Sequence, residues 1–328
     1  MEKKYILVTG GGGYIGSHLV IKLLRKNYNI VVIDNYSNCP KDIKKTILKK
    51  TNKDFFFFNL NLNNFKSVKK IFIKFNIQTI FHLAGFKSVQ ESIKFKKKYF
   101  LNNVKGFQNL MKAVDFNKLE NIIFSSSAAV YSRHSRLPIK ETAKIKILSP
   151  YAENKIFIEN IIFKLQKKKL LKNAISLRYF NPAGSLIKSF KKKNDVKYEG
   201  NFLKLIDSIN KNFFFEIYGK NYNSKDKTCV RDFIHISDLV CGHIAALKYV
   251  KKNSGSKIFN LGSGKENTIL EVVKCFEKTL KRKVLFKFKD RRIGDIPKSL
   301  ADIEKSKKFL YWKPKKKLID ICKTYIKD

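Results

Sequence analysis

The chain has 328 residues, 44% hydrophobic and 29% charged, which suits a large folded core and excludes disorder, a collagen-like repeat and low complexity. Seventy Lys and Arg against 26 Asp and Glu leave a formal net charge of +44. That surplus is mostly lysine in short scattered runs (96–98, 167–169, 191–193, 315–317) without interleaved aromatics, so it reads as solvated surface. No specific nucleic-acid partner is expected, only loose salt-sensitive binding. No run approaches the ~20 apolar residues of a membrane span, and none of the early residues forms a leader core. Five cysteines (39, 229, 241, 275, 322) lie far apart with no C-x-x-C pair, which disfavours a disulfide framework or zinc site and points to a reducing cytoplasm.

Apolar runs mark strands at Lys4–Thr9, Asn29–Asp34, Asp54–Asn59, Thr79–Leu83, Asn121–Ser126, Ala174–Phe180 and Lys257–Leu261. Helix-like periodicity separates them, as in Ile15, Leu19, Val20, Leu23 and Leu24. The pattern predicts an α/β fold, a doubly wound parallel (Rossmann) sheet with helices on both faces. Beyond Asn181 the rhythm breaks down. The predicted division gives 1–180 plus 236–281 to the sheet domain, and 181–235 plus 282–328 to a smaller interleaved C-terminal substrate domain closing over the mouth of the sheet. Phe55–Phe58 and Phe213–Phe215 are expected to face the core.

The first strand runs into Thr9-Gly10-Gly11-Gly12-Gly13-Tyr14-Ile15-Gly16, which holds five of the chain's fifteen glycines. Gly10 permits a tight turn, Gly13 lets backbone approach a pyrophosphate, and Gly16 lets helix and strand pack closely. The helix N-terminus that follows favours an anion. Asp34, 18 residues beyond Gly16, closes the second strand. A carboxylate there accepts hydrogen bonds from both ribose hydroxyls and repels a 2′-phosphate, so NAD is expected rather than NADP.

Further along, Ser125-Ser126-Ser127 ends a strand, and Tyr151-x-x-x-Lys155 begins 24 residues after Ser127. On a helix, i and i+4 share a face, which brings the Lys155 ammonium near the Tyr151 phenol. That charge, with a cationic nicotinamide, would lower a phenol that normally titrates near pH 10 toward the range of a general base. Ser127 could hydrogen-bond the same substrate hydroxyl. The expected catalytic residues are therefore Ser127, Tyr151 and Lys155.

Taken together, these motifs resemble the extended short-chain dehydrogenase/reductase family. The resemblance runs through TGGGGYIGSH (9–18), HLAGFKSVQES (82–92), NNVKG (102–106), FSSSAAVY (124–131), LRYFNPAG (177–184), VRDFIH (230–235), FNLGSG (259–264) and RRIGDIP (291–297). It implies that NAD lies along Gly10, Gly13, Tyr14, Ile15, Gly16, Asp34, Asn35 and the loop of Leu83, Ala84, Gly85 and Lys87. Asn102, Tyr151, Lys155 and Phe180 would surround its nicotinamide end. The family's adenine-contacting aspartate falls at Asn61, followed by Leu62, and an amide there can still accept from the adenine amine.

For substrate, the resemblance implies a UDP-sugar touched by Lys87, Ser127, Tyr151, Asn181 and Asn201. Arg231 and Arg292 would hold the diphosphate. Ile217 and Tyr218 would line the uracil pocket and Asp295 would bind the ribose. The implied activity is reversible oxidation at C4 of a UDP-hexose (UDP-glucose or UDP-galactose), rotation of the 4-keto sugar, and reduction from the other face. Ser299 stands where hexose-restricted relatives carry tyrosine, which extends the expectation to UDP-GlcNAc and UDP-GalNAc, with drift in a loop as the competing explanation. A homodimer is implied, through helices near Ser92–Asp115 and Tyr151–Lys168. A 4,6-dehydratase would need a proton-transferring pair at Ala128 and Ala129, where methyl groups stand. A sugar decarboxylase, a non-catalytic NAD-binding regulator and a basic scaffold remain as alternatives.

Overall fold

The computed structural model describes residues 2–187, 190, 201–211, 213–291 and 295–326. In chain order its first half holds β1 (Lys4–Thr9), α1 (Tyr14–Arg25), β2 (Ile30–Asp34), α2 (Ile43–Thr51), β3 (Phe56–Asn59), α3 (Phe65–Lys74) and β4 (Asn76–His82). Next come α4 (Val89–Lys94), α5 (Lys96–Tyr99), a π-helical turn (Phe100–Lys105), α6 (Gly106–Ala113), β5 (Asn121–Ser127), α7 (Pro150–Lys167) and β6 (Asn173–Tyr179). The remainder is β7 (Asn181–Ala183), α8 (Asn201–Asn210), β8 (Phe215–Tyr218), β9 (Val230–Arg231), β10 (Phe233–His235), α9 (Ile236–Lys252) and β11 (Gly255–Leu261). It closes with β12 (Asn267–Thr268), α10 (Ile269–Leu280), β13 (Phe286–Lys289), β14 (Lys298–Ser299), α11 (Glu304–Leu310) and α12 (Leu318–Ile326).

Two compact units emerge: residues 1–132, 144–178 and 243–259, and residues 133–143, 179–242 and 260–328. The first is built on a seven-stranded sheet in the order β11-β6-β5-β4-β1-β2-β3. The pairs β1/β2, β2/β3, β1/β4 and β4/β5 all run parallel. Ile6, Leu7 and Val8 in β1 and Ile30 through Ile33 in β2 are buried, as strands covered on both faces require. Leu7, Val31, Ile80, Phe107, Phe124, Ile158 and Ile162 belong to one core cluster. The chain winds outward from β1 to β3 and then returns to β4 on the other side of β1. Strand order therefore reverses between β1 and β4, and ligands of such sheets settle at the carboxyl ends beside that reversal. Here those ends are Thr9 and His82.

In the second unit β8 pairs with β13, β7 with β10, and β9 lies between β12 and β14. Its core gathers Leu205, Ile206, Phe233, Val272, Phe276 and Ile321 from α8, β10, α10 and α12. Residues 179–180, 236–242 and 260–281 therefore fall here and not with the sheet domain as expected. The amphipathic face of α10, with Val272, Val273 and Phe276, completes this second core. Residues 133–143 also join this unit.

The phenylalanine runs are less buried than expected. β3 is an edge strand, so Phe56 remains 41% exposed and packs on Phe75 at a ring separation of 4.7 Å. Phe213 and Phe214 are exposed, and burial begins at Phe215, inside β8.

Candidate active site

The turn after β1 is shaped by clashes that any side chain would create. Gly10 has φ +69°, and a Cβ there would stand 2.7 Å from the Ala84 backbone nitrogen. A Cβ on Gly16 would lie 2.1 Å from the Gly10 carbonyl oxygen, so α1 can start this close to the strand only with glycine. Gly13 differs, because its Cβ would meet only the Gly10 oxygen, at 3.2 Å. Space is left on that side of the loop. Gly13 caps α1 without a side-chain hydrogen bond, and the first turn carries no acid, so the helix N-terminus is disposed toward an external anion.

Asp34 ends β2 with both carboxylate oxygens held by backbone: Gly12 N–H donates to Oδ2 and Tyr36 N–H to Oδ1, each at 2.9 Å. Burial raises its pKa and these bonds draw it part of the way back. Cys39 lies against the same carboxylate at 3.7 Å. The open glycine face and the oriented carboxylate fit the pyrophosphate and ribose of a dinucleotide. Asn35 accepts a turn hydrogen bond from Ser37 N–H, and Asn61 one from Asn63 N–H. The Leu62 side chain is buried in the core, so a ligand would meet its backbone.

At the end of β4, Leu83 N–H donates to Thr9 O at 3.1 Å and Ala84 N–H approaches Thr9 Oγ1 at 3.5 Å. The next residues are fastened by Asn103, in the π-helical turn: its Oδ1 accepts from Phe86 N–H at 2.8 Å and its Nδ2 donates to Phe86 O at 3.0 Å. Asn102, the residue expected at the nicotinamide, donates to Asn103 Oδ1 at 2.9 Å. Lys87 turns its ammonium over the Tyr14 ring, 5.9 Å from the centroid.

The chemical groups come from β5 and α7. Ser149 caps α7 by accepting from Ala152 N–H, and Pro150 stands in its first turn, a strong start signal. Tyr151 therefore falls in the first turn and Lys155 one turn later. Ser92, itself buried, accepts from Tyr151 N–H at 3.3 Å. The Ser127 hydroxyl, at the tip of β5, accepts from Ala129 N–H at 3.2 Å and stands beside the Tyr151 phenol, whose ionised form it favours. Lys155 donates to the Ser125 carbonyl at 2.6 Å, and its ammonium lies over the rings of Phe124 (4.8 Å) and Tyr151 (5.6 Å).

Burial pushes the Tyr151 phenol up, and the Ser127 hydroxyl offsets only part of that. The Lys155 ammonium lies 5.6 Å from the Tyr151 ring centroid, and burial lowers its own pKa to about 8. Behind it, Glu159 and Arg178 form a buried bidentate pair at 3.0 and 2.7 Å.

In the second unit Arg231 and Asp295 are paired. Arg231 Nη2 donates to Asp295 Oδ1 at 3.0 Å, while Nη1 donates to the carbonyls of Val230 and Ile296. Ser299 stands opposite Arg231 in the β9/β14 register. Asn181 donates its side-chain N–H to Asp232 O at 3.0 Å, and Phe180 is buried two residues past Arg178. Strand alternation in β8 turns Tyr218 outward, where its hydroxyl donates to Glu216, and Ile217 inward to the core. Ile217 thus offers no side chain to a uracil pocket, contrary to expectation. Arg292 and the Asn201 side chain lie outside the described residues.

A family model described as the NAD dependent epimerase/dehydratase family matches residues 6–262. The chain belongs to that family. The "UDP-glucose 4-epimerase" of Dictyostelium discoideum is 36% identical across 97% of this chain and 93% of its own length. The "Bifunctional protein GAL10" of Pachysolen tannophilus is 38% identical over 97% of the chain, which spans only 48% of that longer relative. A crystal structure of UDP-glucose-4-epimerase from Stenotrophomonas maltophila, with bound NAD and formylated UDP-arabinopyranose, superposes with a TM-score of 0.90 at 29% identity, covering 98% of this chain and 96% of that one.

Within this epimerase/dehydratase chain two supporting residues escaped sequence reasoning. Asn103 looked equivalent to its neighbour Asn102 until the π-helical turn aimed it inward. Asp232 sits in the VRDFIH block but is buried, and it accepts from Ser263 N–H at 2.5 Å, Ser263 Oγ at 2.7 Å, Gly264 N–H at 3.0 Å and Ala301 N–H at 3.1 Å. A carboxylate between two apolar stretches was the available signal.

Proposed function

We propose that the chain interconverts the C4 epimers of UDP-hexoses, UDP-glucose and UDP-galactose first among them, with NAD as resident cofactor. The observation that carries this reading is the Ser127 hydroxyl beside the buried Tyr151 phenol, with the Lys155 ammonium 5.6 Å from its ring, at the end of a strand in a dinucleotide fold. NAD, when bound, accepts the C4 hydride and later returns it. Gly10–Gly16 and Asp34 would hold it, with Asn35, Asn61, Lys87, Asn102 and Phe180 in support.

Tyr151 Oη takes the proton of the sugar hydroxyl as the 4-keto sugar forms and gives it back after the sugar has turned. Ser127 keeps that hydroxyl aligned, and its bond favours the phenolate. Lys155 supplies positive charge beside the ring, against the burial that disfavours phenolate. Arg231 and Asp295 part from each other to take diphosphate and ribose, with Asn181, Tyr218 and Arg292 completing the grip. A firm hold on the nucleotide with few fixed bonds to the sugar is what turning the sugar requires.

Ser299 extends the reading to UDP-GlcNAc and UDP-GalNAc, because a hydroxymethyl beside Arg231 leaves room for an acetamido group where tyrosine would fill it. Assembly as a homodimer is part of the same proposal. Ile93, Phe95, Phe100, Leu101 and Phe157, from α4, the following turns and α7, are each more than 40% exposed, and an apolar face of this kind suits a subunit interface. A reducing cytoplasm suits the five free thiols.

Product analysis tests the activity. Purified protein should release NAD on denaturation and convert UDP-galactose to UDP-glucose without added cofactor, whereas Tyr151→Phe should not. Release of NAD with no change at C4 in any UDP-sugar would overturn the epimerase reading. Turnover of UDP-glucose but not UDP-GlcNAc at matched concentration would remove the hexosamine extension, and a monomer in sedimentation would remove the dimer.

A further inference from the structure

Cys275 and Cys322 are separated by 46 residues in sequence but meet in the second unit, where α10 packs on α12. Cys322 is fully buried in the core, and Cys275, partly buried, packs against that core. Their thiols neighbour each other in that core, close enough to perturb one another's ionisation. The helices are held in register beside them by Phe276 and Tyr325, with ring centroids 6.1 Å apart.

We propose that Cys275 and Cys322 form a redox-sensitive pair, with Cys275 the peroxide-reactive thiol and Cys322 the resolving one, closing to a disulfide that staples α12 to α10. The proposal stands apart from the residues assigned to chemistry. The two cysteines are unlike in the way such a pair requires. Cys275 is reachable from solvent, and the neighbouring Cys322 thiol, helped by the Lys278 charge, holds its pKa below the usual thiol value. Cys322 is pushed up by its Cys275 neighbour and by burial, so it stays a thiol until its partner is oxidised.

The steps balance with a hydroperoxide as oxidant. The Cys275 thiolate attacks the outer peroxide oxygen, the O–O bond breaks, and the alkoxide or hydroxide leaves with the proton, giving a sulfenic acid. The Cys322 sulfur then attacks the Cys275 sulfur and forms the S–S bond, and the sulfenic oxygen leaves as water with the Cys322 proton. Two thiols lose two electrons, and the peroxide becomes one alcohol (or water) and one water.

The staple would reach beyond the two helices. On α12, Thr324 Oγ1 accepts from Ser185 N–H at 3.0 Å and Tyr325 Oη from Gly184 N–H at 2.9 Å, directly after β7. On the other helix, Thr268 caps α10 with a full capping box and lies in β12, which pairs with Arg231 of β9. Oxidation would therefore tie the loop after Asn181 to the strand beside Arg231.

Hydrogen peroxide is the probe. The full chain is treated, its remaining thiols are alkylated under denaturing conditions, and its peptides are mapped. The expected product is one linked pair of peptides bearing Cys275 and Cys322, two hydrogens lighter and restored by a phosphine, with Cys39, Cys229 and Cys241 still alkylated. The linked protein should melt about 5 °C higher, and α12 amides should exchange more slowly. Cys275→Ser should slow loss of the Cys322 thiol about tenfold or more, and Cys322→Ala should leave a dimedone-reactive Cys275. If Cys322→Ala does not fold, the unaltered chain and Cys275→Ser decide between the outcomes. The proposal is overturned if both thiols survive peroxide that consumes free glutathione, or if Cys275 advances to the sulfinic acid while Cys322 stays free.

Discussion

The two units fix their candidate site residues by opposite means. In the first, Tyr151 and Lys155 are buried on an 18-residue helix, and each is tied to a neighbour on a strand or helix: Tyr151 to Ser92 and Ser127, Lys155 to Ser125. In the second, Arg231, Asn181 and Ser299 stand half-buried on strands of two or three residues. Arg231 finds its main charge partner in another candidate residue, Asp295. A proton-transferring group gains from fixed geometry, since misplacement costs rate directly. A group that must release and recapture a ligand gains from partners it can exchange.

The sharpest way to break this contrast is Tyr151→Phe. Losing the phenolic oxygen should lower kcat about 10³-fold with KM little changed, as steady-state kinetics on UDP-galactose would show. A drop under tenfold would mean that the chemistry lies elsewhere. Next in size, Asp232→Ala would strand the N–H groups it serves and should cost about 3 kcal/mol in denaturant unfolding. That would show that rigidity in the second unit lies under the ligand-facing residues.

A third test uses pH. His82 is fully buried, its Nδ1 paired with Thr9 Oγ1 at 2.8 Å, and burial, with the Lys155 charge, lowers its pKa to about 3. Below its ordinary value of 6.5 the unfolded chain takes up a proton that the folded chain refuses. Stability contributed by neutral His82 is thus present above pH 6.5 and lost as pH falls toward 3. By pH 5 the loss should reach about 2 kcal/mol, and His82→Asn should flatten that part of the stability curve. The smallest effect is expected from Arg231→Lys, which keeps charge but loses the fork: KM for UDP-galactose should rise about tenfold with kcat nearly unchanged. A large kcat effect would erase the distinction between the units.

Legibility in the sequence divides along the same line. The sheet strands were readable because each is a continuous apolar run, and the glycine turn because Gly10 and Gly16 admit no side chain. Tyr151 and Lys155 followed from helical spacing, and Ser127 from its place at the end of an apolar strand. The second unit resisted, since β9, β12 and β14 each have two residues and no periodicity can show in so short a span. Leu62 and Ile217 were placed by resemblance outside the quoted blocks, and their side chains turn inward, which depends on strand and turn alternation rather than motif. The upward push that burial gives the Tyr151 phenol depends on the packing around it, which sequence spacing does not show.

The Arg231–Asp295 pair has a consequence for a chain with a net charge of +44. Such a molecule gathers a cloud of small anions, and a bare guanidinium would be a natural resting place for them. With Asp295 as its own counter-ion, Arg231 offers a stray phosphate little, because the newcomer would have to evict a carboxylate and leave it stranded. A ligand that brings an anion for one partner and hydroxyls for the other escapes that penalty, so the salt bridge screens out idle occupants while leaving a paired ligand free to enter.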